Sequence, residues 1–413
     1  MQTSSKNVTK FSLGRIEVHA VMGHLAVFFC LTPWASWGTN SLDSQPFPLL
    51  IATLYLLFRS SKICVPKIYL ILLVWTIILL CVAIIVTPAS YRTIARAVVS
   101  YLTVPIVLIF FRDFVLSYRF PIRTIIAVNV LWLGFGLLES INPSFTSWAS
   151  VLRTTEGRGV TSLAPEPTFF AIYLVFSSWL ILVYDRYRPK TFSVFIIFIN
   201  ILAILFLAKS SMGIVFLIIL FLAWYAVAFG FTAALFITFL FAFVGPVLFY
   251  TFIDIILSVF EGTRIGNLLQ LLNQLGITGV ISLDASVNIR LEHIIIPIHA
   301  FIQGGFAPNG LEGFADVSRN VSPIYSNILR FSSGGDKINS WIGAVLFETG
   351  LFGLIFIIIL IYSVRSRNPI RSIEISCILI LLFAAIPLAF SVVPLLFVTL
   401  RLAGDKRFAT QVS

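Results

Sequence analysis

Two arginines, Arg158 and Arg290, have the residue type and position that most directly suggest chemistry. Each lies in a polar stretch between long apolar runs, on the side of a membrane where basic residues are normally scarce. A guanidinium group stays charged, and its planar fork can make two hydrogen bonds to one phosphate. We therefore predict that Arg158 and Arg290 together bind a diphosphate at the membrane surface.

Two further residues are predicted to support this anion site. Lys209 lies in a very short turn, Ala-Lys-Ser-Ser-Met-Gly213, which confines its charge near the bilayer surface. Ser286 precedes Arg290 by four residues, so both lie on one helical face. Substrate-binding roles are accordingly predicted for Arg158, Lys209, Ser286 and Arg290, and catalytic roles for the two arginines.

Removal of a proton from an attacking hydroxyl group requires a base, and three residues are candidates. They are Glu166, His293 and Asp284, in order of preference. Glu166 stands in Pro165-Glu166-Pro167 at a predicted helix start, where a negative charge is also favourable for purely structural reasons. A histidine three residues from an arginine is also commonly a packing neighbour, so the structural alternatives stay open.

Metal and cofactor chemistry is not predicted. The four histidines, His19, His24, His293 and His299, lack the spacing of a ligand set, and no acidic pair suggests a cation site. The cysteines, Cys30, Cys64, Cys81 and Cys377, lie in or beside apolar runs without a disulfide or zinc pattern.

The elements that must position these residues are membrane helices. Hydrophobic residues make up 59% of the 413 positions and charged residues only 11%, which excludes a water-soluble protein. The net charge of +11 is spread over many loops rather than gathered in one basic domain. It therefore predicts membrane orientation and no nucleic-acid partner.

Twelve apolar runs predict an all-α, polytopic membrane protein, because backbone groups in lipid must be satisfied within helices. The predicted spans are 18–36, 46–59, 67–87, 93–111, 123–141, 165–184, 191–208, 212–229, 232–253, 339–363, 372–388 and 389–402. Pro387 and Pro394 interrupt the last apolar stretch and predict a broken helix there.

The basic residues predict the orientation. Eighteen of the 28 basic residues form six groups of three, and all six groups lie on one side if the N-terminus is inside. Both termini are then cytoplasmic, which predicts a multi-pass protein of the bacterial inner membrane. Residues 1–253 hold nine helices, 254–338 form a large periplasmic loop, and 339–413 hold three helices and the tail.

The large outer loop is predicted to contain an amphipathic helix at 284–302 that lies on the membrane surface. Its apolar face would be formed by Val287, Leu291, Ile294 and Ile298, and a neighbouring face by Ser286, Arg290 and His293. Five other outer basic residues are expected to be solvated or to reach the interface along their own stems: Arg92, Arg96, Arg319, Arg330 and Lys337.

Three stretches of the chain resemble the bacterial O-antigen polymerase family, the Wzy-type polymerases of the O-antigen ligase and polymerase superfamily. The first is Arg158-Gly-Val with Ala164-Pro-Glu-Pro-Thr-Phe-Phe170, and the second runs from Ser286 to Arg290, followed by Pro297 and Gly304-Gly305. The third is Asn339-Ser-Trp with Glu348-Thr-Gly350-Leu-Phe-Gly353. Related ligases would carry a histidine where this chain has Asn339, which favours a polymerase over a ligase.

The resemblance implies a GT-C-like architecture and a metal-independent glycosyltransferase of polysaccharide or lipopolysaccharide biosynthesis, without a cofactor. It would transfer a growing glycan from undecaprenyl diphosphate to a lipid-linked repeat unit at the periplasmic face. The implied partners are undecaprenyl diphosphate-linked oligosaccharides, membrane lipid, a chain-length regulator and a flippase. Three alternatives remain at this point: a ligase, a lipid-linked oligosaccharide flippase, and a membrane scaffold without enzymatic activity.

Overall fold

A computed structural model of the protein describes residues 9–36, 45–59, 63, 65–86, 89–146, 159–186, 191–262, 264–366 and 369–403. The described part of the chain is helical and contains no strand. The first nine helices are α1 (Thr9–Leu31), α2 (Phe47–Phe58), α3 (Lys67–Val86), α4 (Tyr91–Ser117), α5 (Ile122–Ile141), α6 (Pro167–Asp185), α7 (Thr191–Leu202), α8 (Ser211–Phe229) and α9 (Phe231–Val259).

Seven further helices follow, and a short π-helical turn, Ala203–Ala208, extends α7. They are α10 (Arg264–Leu283), α11 (Ala285–Gln303), α12 (Phe314–Val321), α13 (Trp341–Thr349), α14 (Leu351–Val364), α15 (Pro369–Leu381) and α16 (Val392–Leu402). Helices α10 to α12 lie within the predicted outer loop, at 254–338, whose first residues continue α9.

Six helices are long and apolar enough to cross a bilayer: α3, α4, α5, α6, α8 and the part of α9 from Leu235 to Ile255. Five shorter apolar helices accompany them. Many large apolar side chains remain exposed on these helices, for example Phe236 and Phe243 on α9, which are 66% and 62% exposed. Such a surface is stable against lipid, so the protein is a polytopic membrane protein.

Helix occupies part of every predicted span. One predicted span is divided in two, however, and the junction of the last two spans is not helical. The run 339–363 is divided at Gly350, where φ is +57° and a Cβ atom would lie 2.4 Å from the carbonyl oxygen of Phe306. The prediction of one continuous span there is wrong, because this close approach ends α13. The predicted break near Pro387 is confirmed, since residues 382–391 are not helical.

Helix α6 lies at the centre of the described bundle and carries the residues that begin at Pro167. Nearly its whole length is buried, and it packs against α5, α7, α8 and α16. At its first turn Phe169 stacks on Trp34, with ring centroids 5.0 Å apart, and Trp34 stacks on Phe390 at 4.9 Å. This aromatic layer fixes the start of α6 against the break at 382–391.

Segments that are predicted to share the inner side contact one another. Arg186, at the end of α6, makes two hydrogen bonds of 2.9 Å to the buried carboxylate of Glu374, which also binds Arg371 at 2.7 Å. Arg59 forms an ion pair with Asp113 at 2.9 Å. These pairs place the helix ends that carry the basic groups together, as an alternating path of spans requires.

Candidate functional site

Arg290 and the start of α6 meet in the folded protein. The Nη2 atom of Arg290, on α11, donates a hydrogen bond of 3.0 Å to the hydroxyl oxygen of Thr168, the second residue of α6. The two residues are 122 positions apart in the sequence, and Arg290 is half-buried. The helix N-terminus adds partial positive charge from its backbone N–H groups. An anion placed here would therefore meet a guanidinium and a helix N-terminus together.

Lys209 lies close to the same helix start. It ends the π-helical turn in a left-handed conformation, with φ of 47° and ψ of 41°, and is half-buried. Four residues later α8 packs tightly on α6, because a Cβ atom on Gly213 would lie 2.6 Å from the Cβ atom of Ala171. The turn that carries Lys209 is thus held beside the first turns of α6.

The segment that follows Arg158 is tied to this turn. The backbone N–H of Val160 donates to the carbonyl oxygen of Leu207 at 2.9 Å. A Cβ atom on Gly159 would lie 2.2 Å from the carbonyl oxygen of Ala208, so only glycine permits this approach. Arg158 itself lies outside the described residues, and its predicted meeting with Arg290 stays a prediction.

Glu139, near the end of α5, is a site residue that the sequence reasoning missed. Its buried carboxylate accepts hydrogen bonds from the N–H and the hydroxyl group of Thr161 at 2.9 Å each, and from the N–H of Ser162 at 2.6 Å. Ser162 has a φ of +56°, and its hydroxyl group donates to the carbonyl oxygen of Trp132 at 2.6 Å. Glu139 therefore holds the loop before α6 in one conformation. A single acidic residue at a span end was the only signal in the sequence.

Glu166 stands at the N-cap position of α6 without capping the helix by its side chain. It is the N-cap residue of α6, with φ of −141° and ψ of 148°, yet its side chain makes no capping hydrogen bond. The carboxylate is half-buried and has no hydrogen-bond or ion-pair partner among the residues that the structure describes. The structural alternative of a side-chain cap is thus not observed, while the backbone oxygen of Glu166 accepts from Phe169 at 3.1 Å.

The fully buried side chains of α11 do not include those of the predicted apolar face. Its fully buried residues include Asn288, Glu292, His293 and Ile296, whereas the predicted apolar residues, Val287, Leu291, Ile294 and Ile298, are half-buried. These apolar side chains keep part of their surface exposed, so the predicted contact of α11 with the membrane surface stays a prediction. The buried polar side chains of α11 satisfy the backbone of the loop that covers the helix.

Two buried side chains of α11 organise that loop. Asn288 donates to the carbonyl oxygen of Ile281 at 2.9 Å and accepts from the N–H groups of Arg330 and Phe331, each at 2.9 Å. Glu292, on the next turn, accepts from the N–H of Ser333 at 2.8 Å. Buried polar groups require such partners, so these two residues stabilise the fold of the loop.

Asp284 and Ser286 take different places at the start of α11. The Asp284 carboxylate caps the helix by accepting from the N–H of Val287 at 2.7 Å, and it pairs with Arg264 at 2.9 Å. Asp284 thus has a complete structural role, which disfavours it as a base. Ser286 is half-buried one turn before Arg290 and makes no hydrogen bond within the described part of the chain, so its predicted binding role remains a prediction.

His293 is buried and uses one ring nitrogen for structure. Its Nδ1 atom accepts a hydrogen bond of 2.9 Å from the backbone N–H of Asn339, which leaves the proton of the neutral ring on Nε2. Nε2 lies 4.0 Å from a carboxylate oxygen of Glu292. This geometry favours a positioning role over a catalytic base, because the basic nitrogen is already occupied.

The pH dependence of stability should report on His293. Burial lowers its pKa from 6.5 to about 4; Glu292 raises the pKa, and Lys337 and Arg290 lower it further. Between these two pH values the unfolded chain binds a proton that the native protein does not. The contribution of neutral His293 to the free energy of unfolding is therefore fully present above pH 6.5. This contribution falls by about 3 kcal/mol as the pH drops towards 4. Thermal unfolding of the full chain in detergent at pH 4 to 7 measures this loss.

The control for that measurement is a second histidine of the same helix. His293→Gln keeps an acceptor for Asn339 but cannot be protonated, so we expect a flatter dependence of Tm on pH. His299→Gln, at a half-buried position where the ring nitrogen contacts Tyr325 at 2.9 Å, should leave the dependence as in the wild type. Equal pH dependence in wild type and His293→Gln would contradict the assignment.

The remaining outer basic residues divide into two sets. Arg92, Arg319 and Arg330 are exposed, as expected of solvated charges. Arg96 and Lys337 are half-buried and line a polar cavity, so the expectation of a fully solvated side chain does not hold for Lys337.

A larger, apolar cavity lies elsewhere, between α6, α7, α8 and α9. It has a volume of about 690 Å³ and is lined by apolar side chains apart from Thr238. A gap of this kind between membrane helices suits lipid chains, and it offers no charged group for chemistry. Among the described residues no group of three His, Cys, Asp or Glu side chains is arranged to hold a metal ion.

Comparison of the chain with protein-family models, with curated proteins and with solved structures gave no match. The fold itself defines a polytopic membrane protein that is helical throughout the described residues, with Arg290 hydrogen-bonded at the start of a central helix.

Proposed function

We propose that the protein is a repeat-unit polymerase of O-antigen, capsule or exopolysaccharide. One observation carries the proposal: Arg290 binds Thr168, so the two segments that resemble the polymerase family in Ser286 to Arg290 and in Ala164 to Phe170 form one site. Two segments far apart in sequence that converge on a helix N-terminus fit the binding of a diphosphate group.

The proposed topology has twelve spans with both termini in the cytoplasm of a bacterial cell, and the site at the periplasmic face of the inner membrane. Its support is the segregation of charge. Arg59 pairs with Asp113 in one contact between segments that hold basic groups of three. Arg186 and Arg371 meet at Glu374 in another, at the opposite end of α6 from Thr168. The positive-inside rule assigns that end to the cytoplasm.

In the proposed reaction a hydroxyl oxygen of the acceptor sugar attacks the anomeric carbon of the donor glycan. A new C–O bond forms, and the bond between the anomeric carbon and the diphosphate oxygen breaks with its electron pair on the diphosphate. Arg290 and Lys209, with Arg158, would stabilise the charge that develops there, which is the main requirement for a leaving group of this kind. The hydroxyl proton would pass to Glu166, the carboxylate at the helix start that has no partner among the described residues.

The substrates of this reaction are undecaprenyl diphosphate-linked oligosaccharides, and the enzyme uses fixed protein cations in place of a metal ion. A polymerase of this class requires a flippase that delivers the lipid-linked repeat unit and works with a chain-length regulator. We propose both as functional partners.

Deletion of the gene with complementation tests the function. We expect loss of long glycan chains while single-repeat glycan persists on its final carrier, as seen by gel electrophoresis of surface glycans. Loss of all glycan attachment would indicate the ligase or the flippase instead. Unchanged chain lengths would contradict any role in polymerisation.

A further inference from the structure

A small polar cavity lies next to the break at 382–391. Its volume is about 50 Å³, which gives space for one or two groups of the size of a water molecule. Two cations, a carboxyl group and three hydroxyl groups contribute to its wall: Arg96, Lys337, Glu348, Thr93, Ser100 and Tyr101. We call it the Glu348 cavity.

The Glu348 cavity is built by contacts between distant segments. The hydroxyl group of Tyr101, on α4, donates to Oε2 of Glu348, on α13, at 2.7 Å. The N–H of Gly310 donates to the backbone oxygen of Glu348 at 3.1 Å, which closes the loop after α11 over the end of α13. The carboxyl group is thereby held in one orientation with one oxygen not engaged by Tyr101.

An interrupted helix forms another part of the wall. Pro387, Leu388 and Ala389 line the cavity and belong to the non-helical stretch between α15 and α16. Non-helical backbone within an apolar run is tolerated where it is buried in protein or lines a cavity, and broken membrane helices commonly border binding sites. The position of the break thus agrees with a binding function.

Two series of contacts connect the cavity with the site of Arg290. Phe390, which follows Ala389, stacks on Trp34, and Trp34 stacks on Phe169, the residue after Thr168. Separately, Ile338 lines the cavity, and the N–H of the next residue, Asn339, donates to His293, one turn from Arg290. A change in the cavity wall can therefore reach the site of Arg290 through packed side chains.

We propose that the Glu348 cavity binds a hydroxyl group of the acceptor sugar. This inference rests on the proposed polymerase function. A hydroxyl group can donate to the Glu348 carboxyl group and accept from Arg96 or Lys337. An anion would be repelled by the carboxylate of Glu348, and a cation would be repelled by Arg96 and Lys337. The volume admits a hydroxyl or hydroxymethyl group and is too small for a diphosphate. Glu348, Arg96 and Lys337 then select the acceptor, beside the donor at Arg290.

Binding of a defined glycan to the full-length protein in lipid nanodiscs tests the proposal. The probe is the lipid-free repeat-unit oligosaccharide, released by mild acid from the lipid-linked intermediates of the same cells. By isothermal titration we expect Kd to rise about tenfold in Glu348→Gln and in Arg96→Gln, because each loses a charge-assisted hydrogen bond. Tyr101→Phe should weaken binding less. Asp316→Asn, at a carboxylate that is 77% exposed, is the matched control and should bind as the wild type does.

Equal affinity in wild type, Glu348→Gln and Arg96→Gln would overturn the proposal, as would the absence of saturable binding to the wild type. Displacement of the oligosaccharide by inorganic phosphate would assign the cavity to an anion and also overturn it. The polymerase function fails separately: if the wild type does not extend lipid-linked repeat units but the cavity still binds the glycan, only the polymerase is excluded. If extension proceeds and the variants bind normally, only the acceptor site is excluded.

Discussion

Arg290→Ala should lower the rate of repeat-unit polymerisation by roughly 10²–10³, the usual effect of removing one group that stabilises developing negative charge. Thr168 would keep its place, since α6 is buried along nearly its whole length independently of Arg290. We expect the Tm of the variant to remain near that of the wild type. The measurement is polymer length and initial rate with purified protein and lipid-linked repeat units.

Arg290→Lys should recover only part of this activity. Lysine retains a charge but cannot make the two parallel hydrogen bonds of a guanidinium group to one phosphate. The matched control is Arg319→Ala, because Arg319 lies on the same outer region with a side chain that is 76% exposed. An Arg290→Ala rate within threefold of the wild type, at unchanged Tm, would remove Arg290 from the site.

Glu139→Gln should have a large effect of a different kind. The substitution keeps the shape of the side chain but presents an amide to the three donors of Thr161 and Ser162, so at least one donor meets another donor. We expect a loss of about 2–3 kcal/mol in stability, the range for a buried hydrogen bond to a charged group. Because the loop from Gly159 to Glu166 would lose its fixed conformation, activity should fall together with Tm.

Glu312→Gln is the control for this prediction. Glu312 is a half-buried carboxylate in a surface contact, where it binds the hydroxyl group of Ser90 at 2.8 Å, and its replacement should change Tm little. The two large effects are therefore distinguishable, since Arg290→Ala lowers activity alone while Glu139→Gln lowers activity and Tm. A Glu139→Gln protein with the Tm of the wild type would show that Glu139 does not hold the loop.

Several features of the fold could be predicted because they depend on local composition. Apolar runs near the length of a bilayer must form helices in lipid, and helix occupies part of every predicted span. The break near Pro387 was also predictable, since proline cannot donate a backbone hydrogen bond. The division at Gly350 was not, because it results from a close approach to Phe306, a residue remote in sequence.

The candidate site likewise combines features that the sequence shows with features that only the tertiary structure shows. Residue type alone singles out Arg290, Lys209 and Glu166, because an unusual charge on the outer side of a membrane is visible in the chain itself. Their surroundings are not visible there. The hydroxyl group of Thr168 and the carboxylate of Glu139 have ordinary residue types, and their roles arise from partners 122 and 22 positions away.

His293 and Glu348 show what the sequence determines and what only the tertiary structure determines. Composition alone indicates a membrane protein, and the chain shows both residues as ionisable side chains. Burial and hydrogen-bond geometry, which exist only after the helices pack, then gave His293 a structural partner in Asn339 and placed Glu348 with Tyr101 in a polar cavity. Composition determines which solvent a helix prefers, whereas the pairing of polar groups depends on which helices become neighbours.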